Sequence, residues 1–189
     1  MLPNPFDTLP AQAIKTAIHQ KGKKLFLQGD KPFAVFYLEQ GLVQLLRHSK
    51  NGDEVIIHRA RSGETFAEAS LFSHEYHCDG IVLEPSTIIK LDKAQILKTM
   101  GENADFALAL SARFAGQIQS YRRMLEIHAI RSAKERVFTA VSQGMLNTKI
   151  KPFAAQIALS HEATYRALAQ LVKEGRLEKT GRGAYSIVA

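Results

Sequence analysis

The hydrophobic period of this chain changes near residue 103, and the change limits the folds that it can adopt. Between residues 22 and 91, short apolar runs alternate with turn signals, which predicts a small antiparallel barrel or sandwich. One of these turns, Asn51-Gly52, is the dipeptide that best fits a tight hairpin. From about Asn103 onward, apolar residues recur every three or four positions, which predicts helices. We therefore expect an α+β fold in which strands precede helices.

One apolar stripe runs along the predicted long helix, which extends from residue 103 to residue 130. Its members are Ala107, Leu110, Phe114, Ile118, Tyr121, Leu125 and His128. The stripe spans about three heptads, so it can pack on the barrel alone or also on its copy in a second chain. After a hinge near Arg131, Ser132 and Glu135 predict a capping box that begins the next helix.

Residues 152–189 predict two helices followed by a hairpin. The first helix covers Phe153 to Ala158, and Ser160 is a suitable N-cap for the second, since its hydroxyl can accept a free backbone N–H. Gly175 suits the end of that helix. A hairpin with a glycine-rich tip at residues 180–183 follows. This order is typical of a winged helix-turn-helix and predicts DNA binding.

The second helix of this pair has two faces. The residues expected to face the core are Ala163, Ala167, Leu168, Leu171 and Val172, and those expected to face DNA are His161, Glu162, Tyr165, Arg166 and Lys173. Arg can donate two hydrogen bonds to guanine, and Glu can accept from the amino group of cytosine. Ser160, Lys173 and, at the hairpin tip, Arg182 suit contacts with the DNA backbone.

The net charge is +7, and it is concentrated in the last third of the chain. Residues 131–189 contain ten Lys or Arg and four Asp or Glu, a net charge of +6, whereas residues 1–130 carry +1. A basic module on a nearly neutral body suits a polyanionic partner. No apolar run approaches the ~20 residues that span a bilayer, and the N-terminus lacks the pattern of a secretory signal. We therefore expect a cytoplasmic protein without membrane contact.

With these features, the chain resembles the cyclic-AMP receptor protein/fumarate-nitrate regulator (CRP/FNR) superfamily of bacterial transcription regulators. The resemblance implies a β-roll sensor domain over residues 1–102, a long dimerisation helix over 103–130 and a winged helix-turn-helix DNA-binding domain over 131–189. Glu162 and Arg166 fall on the base-reading positions of the family's recognition motif, and His161 replaces an Arg of cyclic-AMP-type members. The resemblance also implies a homodimer on palindromic double-stranded DNA, an unknown small-molecule effector, and RNA polymerase as a further partner.

Residues 63–72 are similar to the family's phosphate-binding cassette. The candidate effector-pocket residues are Gly63, Phe66, Ala67, Glu68, Ser70, His77 and Cys78. The Arg that neutralises the phosphate in nucleotide-binding members falls at or near Cys78 here, so we do not expect cyclic AMP. Cys78 is the only cysteine, which excludes an iron–sulfur cluster held by four cysteines of one chain. Haem stays open, with His74, His77 or Cys78 as ligand, although packing roles are favoured for His77 and Cys78.

Two other classes of function stay open. A ligand-binding or protein-interaction module with a degenerate DNA-binding domain would explain His161, the short connection between Val141 and Phe153, and Ala158 at a turn position that is often Gly. A small metal-dependent β-barrel enzyme would need converging ligands, and His48 and His58 lie on predicted partner strands. No third ligand is evident, so we expect neither catalysis nor a metal site.

Overall fold

The computed structural model describes residues 1–49, 54–146 and 149–188. The chain divides into two compact units, Met1–Ala112 and Arg113–Ala189. The division falls inside the longest helix, between the boundaries at residues 102 and 130 that the family resemblance predicts. Among the helices of the described residues, none combines the length and the apolar character that crossing a membrane requires.

Two four-stranded antiparallel sheets form the first unit. The first sheet has the order β1 (Ile14–His19), β8 (Ser86–Asp92), β3 (Ala34–Gln40) and β6 (Thr65–Phe66). The second sheet has the order β2 (Lys24–Phe26), β7 (Asp79–Val82), β4 (Leu42–His48) and β5 (Glu54–Arg61). The predicted two-sheet β architecture is therefore confirmed. Asn51-Gly52, the predicted turn between β4 and β5, lies outside the described residues.

Stacked aromatic rings fill the core of the first unit. The Phe36 ring stacks on Phe66 with 5.2 Å between ring centroids and on Phe26 with 5.4 Å. The Tyr76 ring stacks on Phe26 at 4.1 Å, and its hydroxyl donates to the carbonyl oxygen of Ala34 at 2.8 Å. These four rings are 3% exposed or less. Because each such ring buries about 150–250 Å², the stack occupies much of the space between the sheets.

Two elements of the first unit were missed by the sequence prediction. Strand β1 pairs with β8 along its whole length, from Ile14 opposite Leu91 to His19 opposite Ser86. Helix α1 (Lys93–Glu102) begins ten residues before the predicted change of period. The Asp92 side chain caps α1 by accepting from the Gln95 N–H at 2.9 Å. Helical structure therefore starts directly at the end of the sheet rather than near residue 103.

The second unit contains the rest of α2 (Ala104–Ala129) and five further elements. These are α3 (Ala133–Ser142), α4 (Ile150–Gln156), α5 (His161–Lys173), β9 (Leu177–Gly181) and β10 (Ala184–Ile187). Ile127 of α2 is fully buried in the core of this unit, whereas His128, which was predicted to lie on the apolar stripe, is exposed. The stripe residues Ile118, Tyr121 and Leu125 are 51%, 60% and 68% exposed.

Candidate nucleic-acid interface

The guanidinium of Arg136 on α3 joins the end of α2 to the turn between α4 and α5. Its Nε and Nη2 donate to the Ile130 carbonyl at 2.9 and 2.6 Å, and Nη2 also donates to the backbone carbonyl of His128 at 3.3 Å. Its Nη1 donates to the carbonyls of Ile157 and Ala158, each at 3.3 Å. One cation therefore satisfies carbonyl groups at two helix ends, where intrahelical partners are absent.

Ala158 adopts a left-handed backbone conformation with φ of 52°. This conformation, which costs an alanine about 1 kcal/mol, explains why a Gly is often found at this turn position. Two backbone bonds to α4 hold the turn: Ala158 N–H donates to Ala155 at 3.2 Å, and Leu159 N–H donates to Ala154 at 3.0 Å. The direction in which α5 leaves the turn is therefore determined by this strained residue and by Arg136.

Ser160 caps α5 as predicted. Its hydroxyl oxygen accepts from the Ala163 N–H at 3.1 Å, and its carbonyl accepts from the Thr164 hydroxyl at 2.9 Å. Thr164 is fully buried, although sequence reasoning did not assign it to the core face. Its methyl group and satisfied hydroxyl allow it to pack there. Val172, which was predicted to face the core, is instead 36% exposed.

The first two turns of α5 present four exposed side chains to solvent. They are His161, Glu162, Tyr165 and Arg166. The rings of His161 and Tyr165 meet edge to face with 4.7 Å between centroids, which orients both of them. Lys173 is also exposed but lies in the last turn. The structure thus brings four of the predicted DNA-contacting residues together at one end of α5.

The hairpin lies beside this end of α5. Strands β9 and β10 are joined at Arg182-Gly183, so the tip is shorter than the predicted segment 180–183. Gly183 has φ of 77°, a conformation that tight hairpin turns require. Exposed Arg182 and Tyr165 line opposite parts of one groove of about 770 Å³, together with Leu146, Ile150 and Ala184.

An ion pair connects the start of the hairpin to α3. Arg176 donates to both carboxylate oxygens of Glu135 at 2.7 and 2.9 Å, and its guanidinium carbon lies 3.9 Å from the centroid of the Phe138 ring. The hydrogen bond with Arg176 is the main cause that lowers the pKa of Glu135. The predicted capping box is therefore only half correct: Ser132 accepts from the Glu135 N–H at 3.4 Å, while the Glu135 side chain points to Arg176.

The cassette residues of the first unit form a turn after β6 with their polar groups largely engaged. Ala67 has φ of 65° and precedes a short 3-10 helix over Glu68–Phe72. Glu68 accepts from the Thr65 hydroxyl, and the Lys93 ammonium donates to the carbonyls of Ser70 and Ser73 at 2.9 and 2.8 Å.

The remaining cassette candidates are not gathered at one point. Gly63 is exposed with φ of 91°, whereas Phe66 and Ser70 are buried. His77 is exposed, and its carbonyl accepts from the Arg47 Nε at 3.0 Å. Burial raises the pKa of the half-buried Cys78 thiol and outweighs the opposing effect of Arg47. Sequence reasoning missed this cation because it lies on a different strand.

The two histidines considered as metal ligands lie apart. The His48 Nε2 is 3.4 Å from an Asp79 carboxylate oxygen, and the His58 Nε2 is 3.3 Å from a Glu64 carboxylate oxygen. In the β4–β5 register His58 lies opposite Leu45, and His48 lies opposite Glu54. Each imidazole therefore contacts a different carboxylate. Within residues 1–49, 54–146 and 149–188, no three His, Cys, Asp or Glu side chains form a group that could hold a metal ion.

Comparison with known proteins shows which proteins this chain is similar to. Residues 18–103 match the family model of the cyclic nucleotide-binding domain. The cyclic AMP receptor protein of Thermus thermophilus is 26% identical over 84% of this chain and 77% of its own length. These matches support the CRP/FNR superfamily for this chain.

Two solved structures share this fold. The Thermus thermophilus catabolite activator protein has 24% identity and a TM-score of 0.54, with 99% of this chain and 91% of that chain covered. FixK2 from Bradyrhizobium japonicum has 18% identity and a TM-score of 0.62, with 93% of both chains covered. The domain that the family model matches, residues 18–103, spans β2 to β8 and α1, so the first unit is the β-roll that the sequence resemblance implied. Helices α4 and α5 and the hairpin lie outside the residues matched by that model.

Proposed function

We propose that this CRP/FNR member is a homodimer that binds palindromic DNA through α5 and the β9–β10 hairpin and responds to a signal at the β-roll. The observation that carries the proposal is the exposed cluster at the start of α5, next to the hairpin tip. A recognition helix enters the major groove with its N-terminal end. In that orientation Glu162 and Arg166 would read base edges, and Arg182 would contact the backbone.

The scaffold around α5 supports this role. Arg136, the Ser160 cap and the Glu135–Arg176 pair hold the helix ends and the hairpin through side-chain hydrogen bonds. None of these bonds involves the side chains of Glu162, Tyr165 or Arg166. A rigid support of this kind keeps contacting side chains in one geometry before the partner binds. The net charge of +6 over residues 131–189 would attract the polyanion.

The exposed stripe on α2 supports the homodimer. Ile118, Tyr121 and Leu125 are spaced by three and four residues, as the a and d positions of a coiled coil are, and each is more than half exposed. A second copy would cover these side chains. The two-fold axis would then relate the two copies of α5 and would match a palindromic site.

The cassette supports a signal other than cyclic AMP. Lys93 already donates to the cassette carbonyl of Ser70 and to the next carbonyl after the cassette, that of Ser73. The stacked rings of Phe36 and Phe66 lie in the core beside the turn. No Arg occupies the positions from Tyr76 to Asp79, and Arg47, the cation near Cys78, already donates to the His77 carbonyl. A phosphate buried without a cation of its own is costly. Isothermal titration with cyclic AMP should therefore show no binding.

The DNA-binding role is tested by selecting a site from random duplexes and measuring affinity by fluorescence anisotropy. If Lys173 and Arg182 contact phosphates in both protomers, four cationic contacts predict about a 100-fold loss of affinity between 50 and 200 mM salt. Removing the base contacts in Glu162→Ala/Arg166→Ala should reduce the preference for the selected site over random DNA by about 10- to 100-fold.

A charge-matched control is Glu84→Ala/Lys98→Ala, which changes exposed residues of the first unit and should leave both quantities unchanged. An unaltered site preference in Glu162→Ala/Arg166→Ala would reject the base-reading role. Failure of the wild-type protein to select any DNA would favour the alternative of a ligand-binding or protein-interaction module with a degenerate DNA-binding domain.

A further inference from the structure

A cavity of about 440 Å³ opens in the first unit beside β1, an edge strand of the first sheet, and β2, an edge strand of the second sheet. The cassette follows β6, which forms the opposite edge of the first sheet. The cavity is therefore separate from the cassette turn. Its lining combines cations with an apolar floor; the basic residues are Lys15, His19, Lys23, Lys24 and Lys90.

The strand register places two of these lysines on the interior face of the sheet. Lys90 is opposite Phe36 of β3 on one side and Lys15 of β1 on the other. Cross-strand partners point to the same face, and Phe36 belongs to the buried aromatic core. Lys15 and Lys90 therefore lie on the core-facing side of the sheet at the edge of the roll, where Lys15 is exposed and Lys90 is half-buried.

This arrangement concentrates positive charge at the cavity. Like charges directly opposite each other destabilise a strand pair, and Lys15 and Lys90 form such a pair. Within the described part of the chain, no carboxylate lines the cavity and none of its four lysines belongs to an ion pair. The nearby charge of Lys23 adds to desolvation by burial in lowering the pKa of His19, so this ring is a neutral hydrogen-bonding group at pH 7.

The floor of the cavity is apolar. Ile88 and Phe36 are 1% and 3% exposed, and Phe33 and Leu25 complete the surface. The Lys90 ammonium lies 5.6 Å from the centroid of the Phe33 ring, so the charge is held at the margin of this floor. Apolar lining with a few converging polar groups, in a volume of this size, is typical of small-molecule sites.

We propose that this cavity binds a small organic anion, with its apolar or aromatic body on Phe33, Phe36 and Ile88 and its carboxylate or phosphate between Lys15 and Lys90. The anion would relieve the repulsion between the two ammonium groups. Binding itself does not depend on DNA; only the use of this cavity as the effector site rests on the proposed function.

The probe is 8-anilinonaphthalene-1-sulfonate, and its matched control is N-phenyl-1-naphthylamine, the same ring system without the sulfonate. We expect saturable one-to-one fluorescence binding of the anionic probe to the full chain in the absence of DNA. Lys90→Gln should weaken that binding about tenfold and leave the uncharged probe unaffected. Lys98→Gln removes one exposed lysine of α1 outside the cavity and should change neither affinity.

Thermal unfolding without ligand shows whether the variants fold and tests the repulsion separately. Lys15→Gln and Lys90→Gln should each raise the Tm by a few degrees, because the like-charge pair is removed. Benzoate and phenyl phosphate should displace the anionic probe, and the tighter competitor identifies the preferred anionic group. Equal effects of Lys90→Gln and Lys98→Gln, equal losses for both probes, or displacement by neither competitor would overturn the proposal.

Discussion

The substitution Arg136→Met would test whether one guanidinium holds the turn before α5. Methionine keeps an unbranched apolar stem but removes donors to four carbonyl groups, those of His128, Ile130, Ile157 and Ala158. A hydrogen bond to a charged group contributes about 1.5–3 kcal/mol when its geometry is good. Only the bonds to Ile130, at 2.6 and 2.9 Å, are short.

We assign about 2 kcal/mol to the two bonds that share the Ile130 carbonyl and a fraction of that to each of the three contacts at 3.3 Å. Arg136→Met should therefore lower the free energy of unfolding by about 3 kcal/mol. In a unit of this size, the loss corresponds to a Tm decrease of roughly 10–20 °C. Differential scanning calorimetry of the full chain would show it as a shift of the transition of the second unit, with the first unit unchanged.

The matched control is Arg131→Met, because Arg131 is exposed and donates no hydrogen bond within the described residues. That change should stay within about 0.5 kcal/mol of wild type. Arg136→Lys should be intermediate, since an ammonium cannot span all four carbonyls. If Arg136→Met lowers the Tm no more than Arg131→Met does, the carbonyl contacts do not stabilise the turn and the reasoning is wrong.

Three further predictions concern the second unit. Ala158→Gly should raise the Tm of this unit by several degrees, because glycine relieves a left-handed strain of about 1 kcal/mol. Ala169→Gly, in the exposed interior of α5, should lower the Tm by a similar amount. If both variants change the Tm in the same direction, Ala158 is not strained. Glu135→Gln should destabilise most near pH 7. The folded pKa of Glu135 is depressed by Arg176, so its contribution is present above the unfolded pKa of 4.5 and disappears as the pH falls through the lower folded value; a Tm difference independent of pH from 7 to 3 would exclude this pair as the cause. Leu125→Lys should convert the proposed homodimer to a monomer in sedimentation equilibrium, and an unchanged mass would show that the interface does not depend on Leu125.

Local patterns were sufficient for the elements whose stabilising groups lie close together in sequence. The Ser160 cap and the exposed end of α5 follow from spacings of three or four residues, whereas the turn at Ala158 was expected from the family resemblance. The structure confirms the cap and the left-handed turn. The two-sheet β architecture was also predictable, because apolar runs and turn signals alternate over short distances.

The sequence pattern could not show the pairings between distant residues. Glu135 was predicted to complete a capping box, yet Arg176, 41 positions later, binds it. Strand β1 was missed because its buried partner, β8, lies some seventy residues away and because its four central residues are exposed. The inward direction of Lys90 likewise depends on its alignment with Phe36, which no local spacing encodes.

The amino-acid sequence by itself therefore determined the order of strands and helices, the caps and the strained turn, since these depend on backbone preferences and on neighbours within one or two turns. The tertiary structure decided which charges meet. It directs Arg136 to four carbonyls and Arg176 to Glu135, and it places Lys15 and Lys90 opposite each other on neighbouring strands at one cavity. Charge pairing is a matter of distance in space, and chain folding alone brings these residues within reach of one another.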